Sequence, residues 1–448
     1  MTGQVTDKYN LPPPPGLPIF PDTGTDEDGK HEDACYQADA VLVSRIWPVN
    51  QARVPSIFAT FFRVRDMMIG ETLSIQLLAT LPIQTCLFPR LLSLTWLDQH
   101  QLTNTGDFCF FLSSTLRRCH VLELRIDFYH IGTRCPALED FIIPDDSDTA
   151  LLSEVIHLSA TPTLFEVKIL ASRDIHCPLD NLNCVTFLNL TTPSFRGIEV
   201  AAVLPIIKRF ELPSLKKFEM YAHVLPWAEA EHLFRALSRC KASQTLEHIN
   251  ISSGNRTQRH SGDSLTAVRQ FLCLKQLHTL RLSVHLPIYL NNDLLFEAMT
   301  SWPHIRFLSL VSPHFYTPTI TFRGLFTALH QCPRLHTLDI SLDTVNIDID
   351  HTDESFQHAS LQELILATSR ISDAEAVARI VFSVFPSVDQ VSPGFKRPTR
   401  GCIEVQRRRE RFSRTLWDSG RRTRGCIDAQ IHLDSLRASA DLDRSILI

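Results

Sequence analysis

The chain has 448 residues, 44% hydrophobic and 21% charged, with a formal net charge of −5. That apolar content supports a packed core and excludes disorder along most of the length, while the charge balance gives no global pull toward nucleic acid or anionic membrane. The longest apolar stretch, around Ala201 to Ile207, falls far short of the roughly 20 residues needed to span a bilayer.

The first thirty residues carry a proline cluster and then acids, not a basic end followed by an apolar run, so no secretory signal is read and the expected localisation is cytoplasmic or nuclear. Twelve cysteines are scattered without paired spacing, which reads as reduced, mostly buried thiols and not as a disulfide framework. Residues 1–51, proline-rich and then acidic, read as a disordered segment.

From residue 52 to 388 one pattern recurs: an apolar residue followed by others at the third and fifth positions after it. The copies are Leu91/Leu94/Trp96, Val121/Leu124/Ile126, Leu138/Phe141/Ile143, Leu164/Val167/Ile169, Val185/Leu188/Leu190 and Leu215/Phe218/Met220. They continue as Leu246/Ile249/Ile251, Leu277/Leu280/Leu282, Ile305/Leu308/Leu310, Leu335/Leu338/Ile340 and Leu361/Leu364/Leu366, a repeat of about 27 residues. A proline precedes six copies, as in Phe88-Pro89, Cys135-Pro136 and Cys332-Pro333; it ends a helix and admits an extended segment. Between copies, WAEAEHLFRALSRC, NNDLLFEAMTSW and ISDAEAVARIVFSVF have helical spacing, with Asp293 and Ser372 as candidate N-caps.

A short strand plus a helix at this period predicts an α/β leucine-rich-repeat solenoid, with a curved parallel sheet on the concave side and helices on the convex side. Alternation along each strand then turns one side chain, between the second and third apolar positions, away from the core. That row reads Thr95, Arg125, Ile142, Lys168, Asn189, Glu219, Asn250, Arg281, Ser309, Asp339 and Ile365. Of its nine polar members, Arg125, Lys168, Asn189, Glu219, Asn250, Arg281 and Asp339 are the candidate partner-binding residues. Their mixed signs do not suit a surface that tracks phosphates.

The phrases FPRLLSLTWL, CPALEDFIIP, LPSLKKFEM, WPHIRFLSL and CPRLHTLDI resemble the strand segments of fungal F-box and leucine-rich-repeat proteins. The resemblance implies a protein-binding module that recognises substrates for a cullin (SCF-type) ubiquitin ligase, docked through a Skp-type adaptor. In that group the docking element is an amino-terminal F-box, whereas here only Leu42 to Trp47 (LVSRIW) resembles the end of one. The alternative is a scaffold or receptor-like binder that recruits no ligase. A second departure is the absence of the family's asparagine or cysteine after each strand, where Gln99, Gly254, Pro313 and Asp343 stand. The turns must therefore hydrogen-bond by other means.

No catalytic residue, cofactor or metal is expected. Ser264 within Gly262-Asp263-Ser264-Leu265 resembles the nucleophile block of GDSL esterases, with Asp348 and His351 downstream, but it follows a polar stretch and better suits a helix start. No C-x-x-C pair supports a metal at Cys119/His120 or His176/Cys177/Cys184, and 15 glycines leave little material for phosphate-cradling loops. Residues 389–448 form a basic, disordered tail in this reading: from Lys396 to Arg424 eleven Lys or Arg stand against three acids, a candidate nuclear signal or nucleic-acid contact.

Overall fold

The computed structural model describes residues 64–69, 86–96, 105–121, 128–143, 155–170, 185–254, 264–311, 318–349, 356–366, 369, 371–388 and 390–392. Among these residues thirteen strands form one sheet, each pairing parallel with the next. In sheet order they are β1 (Asp66–Ile69), β2 (Ser93–Trp96), β3 (Arg118–Val121), β4 (Asp140–Ile143), β5 (Glu166–Leu170), β7 (Thr192–Arg196), β9 (Lys217–Ala222), β10 (His248–Ser253), β11 (Thr279–Ser283), β12 (Phe307–Val311), β13 (Thr337–Asp339), β14 (Glu363–Ile365) and β15 (Gln390–Ser392). A separate parallel pair joins β6 (Val185–Thr186) to β8 (Phe210–Glu211).

The repeats that carry a proline open on a turn that explains it. The N–H of the first apolar residue donates to the carbonyl three residues earlier: Leu91 to Phe88 at 3.0 Å, Leu138 to Cys135 at 3.0 Å, Ile305 to Trp302 at 3.1 Å and Leu335 to Cys332 at 3.1 Å. Proline occupies the second position of that turn, where its fixed φ is already correct and its missing N–H is not needed. A second device fixes the register. One carbonyl in each repeat accepts two successive N–H groups of the next: Leu92 from Arg117 and Arg118 (2.9 and 3.0 Å), Lys216 from Glu247 and His248 (2.8 and 2.9 Å), Glu247 from His278 and Thr279 (2.7 and 3.1 Å).

Where helices connect the strands, their apolar stripes close the core. Among the longer ones are α1 (Val200–Arg209), α2 (Trp227–Arg239), α3 (Asn292–Ser301), α4 (Phe322–Leu329) and α5 (Ala374–Val384). Leu233, Phe234 and Leu237 of α2, and Leu295, Ala298 and Met299 of α3, are fully buried, as are Leu280, Leu308 and Leu338 of the strands. The caps sit beside those expected: the side chain of Asn291, not Asp293, accepts Leu294 N–H at 2.9 Å, and Asp373, not Ser372, accepts Glu375 and Ala376 N–H at 3.0 Å.

Nine of the eleven expected copies stand in the expected register; two are displaced by five residues. In the second copy the core positions are Leu116, Cys119 and Val121, so β3 lies ahead of Arg125, which falls outside the described residues. In the fifth they are Leu190, Pro193 and Phe195; Leu188, expected inside, is 66% exposed. A cysteine and a proline at the middle position carry no leucine-like signal, although both are small enough to bury. β1 and β15 add a repeat at each end, the latter extending the sheet past residue 388; Val64/Met67/Ile69 has the right spacing but no proline before it.

Candidate functional site

Pairing carries the outward positions into one unbroken row. Met68, Thr95, His120, Ile142, Lys168, Ser194 and Glu219 are successive register partners. Asn250, Arg281, Ser309, Asp339, Ile365 and Ser392 continue it to the other edge. At about 4.8 Å between strands, thirteen positions extend for roughly 58 Å along the sheet.

Of the seven candidate residues, Lys168, Glu219, Asn250, Arg281 and Asp339 occupy this row. Asn189 does not: the five-residue shift puts it in the turn before β7, its Nδ2 donating to the Pro162 carbonyl, and Ser194 takes its place. His120 holds the position assigned to Arg125, with its Nε2 3.1 Å from Asp140 Oδ2. Two charges are paired within the face, Lys168 with Glu166 at 3.1 Å and Glu219 with Lys217 at 2.9 Å, while the Arg281 guanidinium keeps its charge 6.0 Å from the Phe307 ring centre. Ser309 and Asp339 are buried, at 2% and 5% exposure, with Ser309 Oγ donating to Asp339 Oδ2 at 2.9 Å. Burial pushes the Asp339 carboxyl up to about 6, against the opposing pull of Ser309 and Arg281.

The row deepens at its centre. A cleft of about 630 Å³ has Ser194, Glu219 and Asn250 of the row on one side, and Arg196, Tyr221 and Ser252, two residues further along the same strands, on the other. Those outer three are themselves register partners. Gly197 shapes the strand exit, with φ of 74° and its N–H donating to the Tyr221 carbonyl at 2.7 Å; that φ is open to glycine and costly for most other residues. Gly254 makes room for the tyrosine, since a β-carbon there would meet Tyr221 Oη at 2.5 Å. Arg196 and Tyr221 are absent from the candidate set because they lie beyond the third apolar position of their strands, where the recurring spacing ends. On the helix side a second cleft, of about 460 Å³, gathers Lys208, Arg209, Arg235, Arg239 and Lys241 beside Glu211.

The esterase residues have structural partners. The Ser264 carbonyl accepts Trp227 Nε1–H at 3.4 Å, and Asp348 Oδ1 accepts Arg323 N–H at 3.1 Å; His351 lies outside the described residues. The helix expected to begin at Asp263 and Ser264 starts at Ala267. Cys119 is fully buried with its thiol pushed well up by desolvation, while His176, Cys177 and Cys184 lie outside the described residues, as do the 1–51 segment and the basic run 396–424.

No family model matches the chain. No curated protein matches it either. A solved structure similar to it is an internalin of Listeria monocytogenes strain 4b F2365, 11% identical, the match covering 75% of this chain and 88% of that one, with a TM-score of 0.42. Among the described residues no helix is long and apolar enough to cross a membrane. In-register parallel strands, a turn at the head of the repeats that carries proline in six of them, and helices closing one side together make the described residues a leucine-rich-repeat solenoid.

Proposed function

We propose that the chain is a binding protein and not an enzyme, and that it holds a protein partner against the open face of its sheet. The observation that carries this reading is the unbroken thirteen-residue row with the Arg196–Tyr221 cleft at its centre. Tyrosine and arginine are the side chains that most often dominate such contacts, supplying a large rigid area and a fixed fork of donors. Half-buried Ile142 and Ile365 interrupt the charges with apolar surface. The finer reading is that the partner is a substrate of a cullin ubiquitin ligase engaged through a Skp-type adaptor; the strand phrases that resemble the F-box group support it.

Affinity purification of the tagged chain with quantitative mass spectrometry tests both levels. Combined Arg196→Ala and Tyr221→Ala substitution should deplete the bound partner about tenfold or more, and an unchanged set of co-purifying proteins overturns the face. Adaptor and cullin should co-purify and be lost on deleting residues 1–60. Their absence overturns the ligase reading and leaves a scaffold, the alternative favoured by an amino-terminal segment in which only Leu42 to Trp47 resembles an F-box.

A further inference from the structure

The stacking that builds the binding row also brings together three donor groups with no role in it. Glu247 and His278 hold equivalent positions in consecutive repeats, and His248 follows Glu247 directly. Glu247 Oε2 lies 3.8 Å from His248 Nε2 and 3.7 Å from His278 Nδ1. The ligating atoms of all three fall within 4.8 Å of one another. We propose that Glu247, His248 and His278 form a site for one divalent transition-metal ion of the zinc type.

The geometry is close to what such an ion needs. Tetrahedral zinc with bonds of about 2.0–2.1 Å sets its ligand atoms about 3.3 Å apart, so the two carboxylate–imidazole separations need to shorten by about half an ångström and the imidazole–imidazole separation, within 4.8 Å, by at most about 1.5 Å. The backbone beneath is already fixed. The Glu247 carbonyl accepts both His278 and Thr279 N–H, and the His278 carbonyl accepts Arg306 N–H at 2.8 Å and Phe307 N–H at 3.1 Å. Lys216 approaches the other carboxylate oxygen, Oε1, at 3.6 Å, which leaves Oε2 turned to the imidazoles. An outer-shell partner of that kind orients a metal-binding carboxylate. The neighbouring Lys217 has its charge paired with Glu219.

Two imidazoles and one carboxylate leave a fourth position for water or for a donor from another molecule. The three side chains are 29–40% exposed, so an ion can reach them. A third imidazole, His304, stands beside His278 with ring centres 5.9 Å apart. Nitrogen donors select zinc, nickel or copper over magnesium and calcium, which prefer all-oxygen cages. His248 stands two residues before Asn250 on β10, so by alternation the site lies beside the row, toward the start of the strands.

The test uses the full chain with accessible thiols alkylated, because exposed Cys273 would otherwise compete for the ion. Zinc titrated in competition with a chromophoric chelator should fill one site that magnesium does not contest. His278→Asn and Glu247→Gln should each weaken that site about tenfold or more. In the alkylated chain without substitutions one equivalent of zinc should shift the imidazole nitrogen signals of His248 and His278, a readout independent of how the variants fold. Unshifted signals, or identical titrations for the unsubstituted chain and a His248→Asn/His278→Asn double variant, overturn the proposal.

Discussion

Asp339 carries a charge where the surrounding protein offers it little. Its Oδ2 accepts a bond from Ser309, but its buried Oδ1 has no hydrogen-bond partner among the described residues. Desolvation therefore dominates, and the carboxyl titrates at about 6 when folded against 3.8 as its ordinary value. Between those values the native chain binds a proton that the unfolded chain does not. Stability therefore falls as pH rises through the window from about 4 to 6 and levels off above it. Asp339→Asn keeps an acceptor for Ser309 and removes the charge, so urea unfolding should show it about 1–3 kcal/mol more stable than the parent at pH 7.5. The gain should shrink to about a third of that near pH 4.5 and vanish below the ordinary value of 3.8, and a pH-independent gain would assign the effect to something other than the buried carboxylate. Burial also limits what Asp339 can offer a partner: it and Ser309 are both buried, and the exposed member of that part of the row is Arg281, two strands away.

Between elements, a hydroxyl ladder ties successive repeats together at the strand entry, the end opposite the turns from which the family's asparagine is missing. Thr115 Oγ1 donates to the Leu91 carbonyl at 3.0 Å, Thr163 to Leu138 at 2.7 Å and Thr245 to Leu215 at 2.9 Å, each just ahead of the first apolar residue of its own repeat. Ser214 donates instead to the Leu188 carbonyl, two residues before the first apolar position Leu190, as Thr115 also does to Pro89 and Thr163 to Pro136. Thr→Val at 115, 163 or 245 keeps the side-chain shape and should cost about 1 kcal/mol apiece in denaturant unfolding, while Thr→Ser should cost less than half as much. A larger loss for Ser than for Val would mean that the methyl, not the hydroxyl, carries the position. This ladder was hidden in the sequence because the hydroxyls do not recur at every repeat: Arg90, Ala137 and Gln276 stand at the same position in others. The strands and α2, α3 and α5 were legible because leucine-like side chains recurring at a fixed spacing can all be buried only if their repeats stack in register. Register was lost where Cys119 and Pro193 substituted for leucine, and with it went His120 and Ser194. The Glu247–His248–His278 cluster could not be read at all, since its donors meet only after a whole repeat has been folded back.

For the whole molecule, the parallel ladder implies that each repeat is stabilised mainly by its two neighbours, so damage should stay local. Buried thiols report where. Cys119 in β3 and Cys332 in the turn before β13 are both fully buried. Desolvation raises both thiols, that of Cys332 to about 12, so neither alkylates at neutral pH unless its repeat opens. Cys332 packs against α3 and the following turn, its Sγ donating to the Met299 carbonyl at 3.2 Å, two strands from β11. Cys119 lies six strands from β11 in the other direction. Leu280→Ala in β11 removes a fully buried side chain and should cost about 2–5 kcal/mol. In a nearest-neighbour solenoid that loss accelerates alkylation of Cys332 well before that of Cys119, measured by mass spectrometry of the labelled peptides under native conditions. Equal acceleration at both thiols would show instead that the thirteen strands open as one cooperative unit. The face proposed to bind a partner would then be held rigid by every repeat at once, and ordering of the central cleft would depend on repeats far from Arg196 and Tyr221.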